Sequence, residues 1–140
     1  MHALLLLHFA VTWALAGLIW TIQVTHYPLF AQVGAEAFPA YHAAHTRTVT
    51  WVVAPLMLAE LATGAWLLRS GCRDVWFLIS LALLAVNWLS TALLQIPLHE
   101  RLAAGFNTHT HALLVTTNWI RTAAWSLRGL LLVPLLLHRP

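Results

Sequence analysis

The sequence predicts an all-α fold, a four-transmembrane-helix bundle with both termini on the same side. Three observations carry this. Of 140 residues, 61% are hydrophobic and only 8% charged, against about 25% charged in a soluble domain. Four stretches, 3–24, 49–68, 75–96 and 112–137, each offer the roughly 20 apolar residues that cross a hydrocarbon core. Together they consume most of the chain, which leaves a single integral membrane domain over 1–140. The composition excludes a soluble globular enzyme, a disordered tail and a nucleic-acid binder. All seven cations are arginine, so the basic balance comes from a few placed side chains and not from a basic patch.

The first helix is expected over 3–25. Ala14-Leu15-Ala16 resembles a signal-peptide cleavage site, but residues 1–12 hold no lysine or arginine and the apolar run continues through Ile22. Those features predict retention as a membrane helix. His26 should close it, immediately before Tyr27-Pro28. Pro39 suits a first helical turn, so the second helix is read as 39–69, rising above the membrane. The third is expected over 75–97, where Pro97 bends or ends it. The fourth, 109–137, follows Asn107 or Thr108 as cap. An even number of spans places Arg69, Arg73 and Arg139 on one side and Arg47 and Arg101 on the other. That bias predicts cytoplasmic termini, with a bacterial inner membrane as the setting. Cys72 then lies in the cytoplasmic turn, and a single cysteine forms no intrachain disulfide.

Nine histidines against eleven formal charges make an unusual polar complement for a membrane chain. His2, His8 and His138 fall at the cytoplasmic end. His26, His42, His45, His99, His109 and His111 fall at the outer ends of helices. His42 and His45 share a helix face at i,i+3, and Gln95 and His99 stand at i,i+4. Three helix ends thus bring His26, His42, His45 and His99 to one layer. Neutral imidazole is the commonest metal ligand near neutral pH, so these four could enclose iron, copper or zinc. A pair could instead hold a haem, the less favoured reading. Each histidine alone has a plainer explanation, hydrogen bonding to headgroups, water or backbone. His109 and His111 point roughly 200° apart on a helix, so at most one faces inward, His111 in preference.

A second polar set lies deeper. Ionisable groups inside a membrane are costly and mark function by default. Counting 1.5 Å per residue puts Glu60 at about 20 Å depth, Arg121 at about 15 Å and Arg128 at about 25 Å. Glu60 is therefore expected to pair with Arg121, either as a structural ion pair or in binding a polar group or moving protons. Arg128 reads as a snorkelling side chain. Asn118, Arg121, Trp125 and Arg128 share one helix face, and Asn87, Thr91 and Gln95 step by four towards His99. The eight tryptophans read mainly as interfacial and packing residues. Trp13, Trp20 and Tyr27 form a heptad row that packs in the core or lines an aromatic cleft.

The stretch TALLQIPLHERL (91–102), followed by NWIRT (118–122) and WSLR (125–128), resembles the anthrone-oxygenase-like group of small four-helix membrane proteins. That resemblance implies oxidation of an aromatic or lipophilic substrate within the membrane; the outer histidines fall outside it. The functional expectation is a metal-dependent membrane oxidoreductase, with an oxygenase among its forms. His26, His42, His45 and His99 would hold the metal and Gln95 would support a cofactor or contact substrate. Glu60, Asn118 and Arg121 would carry protons or orient a polar group. Two alternatives stand beside it: a haem- or quinone-binding electron carrier, and a non-catalytic metal-binding or transport protein. The expected partners are the lipid bilayer and a lipophilic small molecule, with a homo-oligomer or a membrane partner protein left open.

Overall fold

Four long helices build the chain in the computed structural model, which describes residues 1–137. They are α1 (His2–Gln32), α2 (Phe38–Arg69), α3 (Val75–Ala103) and α4 (Thr108–Leu137), each long and apolar enough to cross a membrane. No strand occurs among the described residues. The protein is an all-α four-helix bundle suited to a lipid bilayer. His138 and Arg139 lie outside the described residues.

Local chemistry sets the helix ends. Asp74 caps α3 by accepting from the Trp76 N–H at 2.9 Å, and Asn107 caps α4 by accepting from the Thr110 N–H at 2.9 Å. α2 closes through Gly71 at φ +88°, a left-handed position that glycine fills without a Cβ clash. The Cys72 N–H then returns to the Leu67 carbonyl at 3.0 Å. Pro39 does sit in the first turn of α2, which begins at Phe38.

Two expected boundaries move. α1 does not stop at His26 but runs on through Pro28 to Gln32, and α3 passes Pro97 to reach Ala103. In both, a π-helical turn precedes the proline: Ile22–His26 before Tyr27-Pro28, and Thr91–Gln95 before Ile96-Pro97. A proline lacks an N–H and crowds the carbonyl four residues back. Widening the preceding turn relieves that crowding, so the chain stays helical instead of breaking. Each helix gains nearly two more turns of outer surface as a result.

α4 packs against both α1 and α3, and α1 also packs against α2. α2 meets α3 chiefly through the segment beyond the second π turn. Lower down, the Leu81 and Leu84 side chains reach Gly64, where a Cβ would lie 3.1 Å from Leu81 Cδ2. Between these two contacts the seam is open. At the inner end, Leu5, Leu67, Phe77, Leu132 and Leu135 join in a buried apolar cluster that closes the bundle.

Candidate functional site

The four outer histidines do meet, but as two pairs. His26 Nε2 lies 2.7 Å from His45 Nδ1, with the rings stacked at 4.4 Å between centroids. His42 Nε2 lies 3.0 Å from His99 Nδ1. The second pair extends to the Tyr27 hydroxyl, 2.9 Å from His99 Nε2. Each short N···N contact needs one N–H and one lone pair, so neither pair is doubly protonated. The row Tyr27–His99–His42 can therefore reverse its donors in concert, ending at His42 Nδ1, which is buried with no hydrogen-bond partner. Phe30, wholly buried, anchors the layer edge-on to His45 at 5.0 Å and His42 at 5.8 Å between centroids. Among the described residues, no three His, Cys, Asp or Glu side chains converge as a metal-ligand group.

The remaining outer histidines sort as the i,i+2 spacing requires. His111 turns inward and its Nε2 lies 2.8 Å from the Tyr27 carbonyl, where it donates. His109 is exposed.

Beneath this layer lies a cavity of about 540 Å³. Its walls are apolar, with Ile22, Val49, Val53, Ala54, Met57 and Leu58 among them. Its polar end holds Tyr27, His42, His45, Gln95, His99 and Arg121. Leu58 and Ile96, on opposite walls, are 57% and 49% exposed. The cavity thus opens sideways between α2 and α3, towards the position of lipid.

Arg121 is 5% exposed. Its Nη1 donates to Asn118 Oδ1 at 3.2 Å, and its guanidinium carbon lies 5.1 Å from the Trp125 ring centroid. Asn118 in turn donates to Gln23 Oε1 at 2.8 Å. Gln95 Nε2 meets Thr117 Oγ1 at 3.0 Å. Two atoms of this group, Gln95 Oε1 and Arg121 Nε, are buried without a partner.

The expected Glu60–Arg121 pair does not form. Glu60 pairs with Arg128 instead, Nη1 to Oε1 at 2.8 Å, with both side chains fully buried. Arg128 is thus no snorkelling residue. The depth count failed because it began at the membrane instead of at the helix start. From Phe38 and Thr108, the same 1.5 Å rise puts Glu60 about 33 Å, Arg128 about 30 Å and Arg121 about 20 Å along their helices. Thr12 donates to Glu60 Oε1 at 2.9 Å and Trp125 Nε1 to Oε2 at 3.1 Å. His8 bridges Arg128, at 3.3 Å, and Thr63, at 2.8 Å. Arg128 Nε donates to Ser80 Oγ at 3.3 Å.

Sequence reasoning passed over His8, Thr12, Gln23 and Phe30. Their signal was periodicity: His8, Thr12, Leu15, Ile19 and Gln23 fall on the single buried stripe of α1. Trp13 and Trp20 do not line the cleft; Trp20 hydrogen-bonds Ser126 Oγ on α4 at 3.0 Å, and Trp13 covers Gly129, where a Cβ would stand 2.8 Å from the indole. Of that heptad row only Tyr27 reaches the cavity.

Compared with protein-family models, with curated proteins and with solved structures, the chain matches none.

Proposed function

We propose that this chain takes a lipophilic small molecule from the bilayer through the opening between α2 and α3. The molecule's oxygen-bearing head would meet Tyr27, Gln95, His99 and Arg121. One observation carries the reading: an apolar cavity, open on the side that faces lipid, ends in a cluster of buried polar atoms of which three have no partner. A buried polar atom without a hydrogen bond costs about 1–3 kcal/mol. Arg121 Nε seeks an acceptor, which an oxygen of the head would supply. The Tyr27–His99–His42 row would exchange a proton with that head.

The reaction class this favours is oxidation or reduction of the bound lipophile. The specific observation behind a metal-dependent form is that four imidazoles from three helices lie side by side, with His99 Nε2 already held by Tyr27. A ligating histidine is commonly oriented through its second nitrogen in this way. His26, His42, His45 and His99 would hold the ion, and iron or copper would supply redox chemistry that zinc would not. The His26–His45 and His42–His99 contacts of 2.7–3.0 Å would have to open, and the two pairs to converge, before all four imidazoles could share one ion. The resemblance to anthrone-oxygenase-like proteins supports an oxidative reading. We also read the end bearing Arg69 and Arg73 as cytoplasmic, in a bacterial inner membrane.

The test is extraction of small molecules carried by protein purified without a histidine tag, in parallel with metal analysis and an absorption spectrum. Wild type should carry a lipophile that Ala54→Trp, which fills the cavity, excludes. Equal carriage by both proteins rejects the cavity as its site. Full metal content in a His42→Ala/His99→Ala double variant rejects the metal form, and a Soret band would replace it with haem.

A further inference from the structure

Among the described residues, Arg121 is the buried cation that the fold leaves without a counter-ion. Glu60, the one acid in the membrane interior, is committed to Arg128. Glu100 also lines the cavity, but it is exposed and no ion pair joins it to Arg121. The guanidinium is served by neutral groups alone: the Asn118 amide oxygen, the face of Trp125 and the neighbouring Tyr27 hydroxyl. Neutral partners suit a cation less well than an anion does, and the shortfall grows where water is absent. Arg121 is 95% buried, lines the cavity and has an unpartnered Nε. The four outer histidines next to it are hydrogen-bonded in pairs, and an imidazole is no anion, so they supply none either.

We infer that the ligand of this cavity is an anionic amphiphile whose oxyanion head pairs with Arg121 while its hydrocarbon body lies along Val49, Val53, Ala54, Met57 and Leu58. This rests on the cavity being a lipophile site, and it adds the charge of the head. Carboxylate is the simplest such head. A phosphate monoester presents the same oxyanion chemistry. The orientation follows from the walls: apolar side chains face the body and Arg121 stands at the polar end. Arginine fits this task because its planar fork can offer two parallel N–H groups to two oxygens.

The test uses the full chain in phosphatidylcholine nanodiscs, with dibromostearate and its methyl ester as probes. Bromine quenches tryptophan on contact, and Trp88 lines the cavity. Binding is read as the quenching that disappears in Trp88→Phe. The acid should bind about tenfold or more tightly than the ester in wild type, the scale of a charge-assisted contact. Arg121→Gln should bring the two within about twofold, and Arg121→Lys should keep part of the preference. Lysophosphatidate should displace the acid if any oxyanion head suffices; failure to displace narrows the class to carboxylates, with the pairing to Arg121 intact. Equal binding of acid and ester by wild type overturns the inference, and that measurement needs no variant to fold. The cavity reading fails separately, if Ala54→Phe, which narrows the cavity without adding a fluorophore that bromine reads, leaves the quenching by both probes unchanged.

Discussion

Two buried polar clusters share one bundle, and they are finished to different degrees. In the inner cluster Glu60 receives Thr12, Trp125 and Arg128, while Arg128 also reaches His8 and Ser80. Its charges cancel and an apolar cluster closes the end below it. Among the described residues, the outer cluster has hydrogen-bonded histidine pairs, an arginine with no anion, and orphaned atoms on His42, Gln95 and Arg121. Trp125 stands between the two, giving its N–H to Glu60 and its ring face to Arg121. A self-satisfied network fixes helix register; an unfinished one beside a cavity awaits something else.

The contrast breaks most readily at the ion pair. Glu60→Gln and Arg128→Gln should each destabilise the bundle by about 3–5 kcal/mol, because each strands a buried charge. The double variant should recover part of the loss, as read from unfolding in detergent. Glu60→Gln combined with Arg121→Gln should instead be close to additive. Recovery in that second combination would restore the pairing that the structure replaces.

A smaller effect is expected at His8. His8→Ala removes a bridge between Arg128 and Thr63 and should cost about 1–3 kcal/mol, without altering ligand binding. Loss of ligand with stability intact would move function to the inner cluster.

Gly129→Ala sharpens the comparison from outside both clusters. The new Cβ would press on the Trp13 ring, which would have to shift at a cost of about 1–3 kcal/mol. Its probe quenching should stay that of wild type. Changed quenching would tie the cavity to packing between α1 and α4.

The smallest stability change is expected in the outer layer. Tyr27→Phe removes the hydroxyl that meets His99 and should cost about 0.5–1.5 kcal/mol. It should nevertheless change ligand binding, or metal content if an ion is held there. A stability loss as large as that of Glu60→Gln would make the outer layer structural too.

Much of this was legible in the sequence because hydropathy reports spans directly. The 140 residues divide into four apolar runs, and the run at 75–96 carries no charge to confuse its assignment. The outer layer was legible too, since His42 and His45 lie three apart and His99 follows Gln95 by four. What periodicity could not give was which cation meets which anion. Glu60 could face Arg121 or Arg128, two turns apart on one face, and the choice depends on where each helix begins. Nor could the sequence show that Pro28 and Pro97 are carried inside their helices. Proline usually ends a helix, and only the widened turn before each explains the exception. The extra turns hold Tyr27 and His99 opposite each other; a helix ending at His26 would leave Tyr27 in a loop.

The sideways opening between α2 and α3 changes how a ligand should be counted. A molecule that arrives through lipid meets the protein at its mole fraction in the leaflet and not at its aqueous molarity. Each buried methylene favours the bilayer by about 0.8 kcal/mol, so partitioning concentrates an amphiphile before any contact with Arg121. Modest intrinsic attraction then suffices for loading by mass action. Adding lipid at constant protein and ligand would empty the cavity by dilution within the membrane, with the total concentration of ligand unchanged. Occupancy becomes a reading of membrane composition.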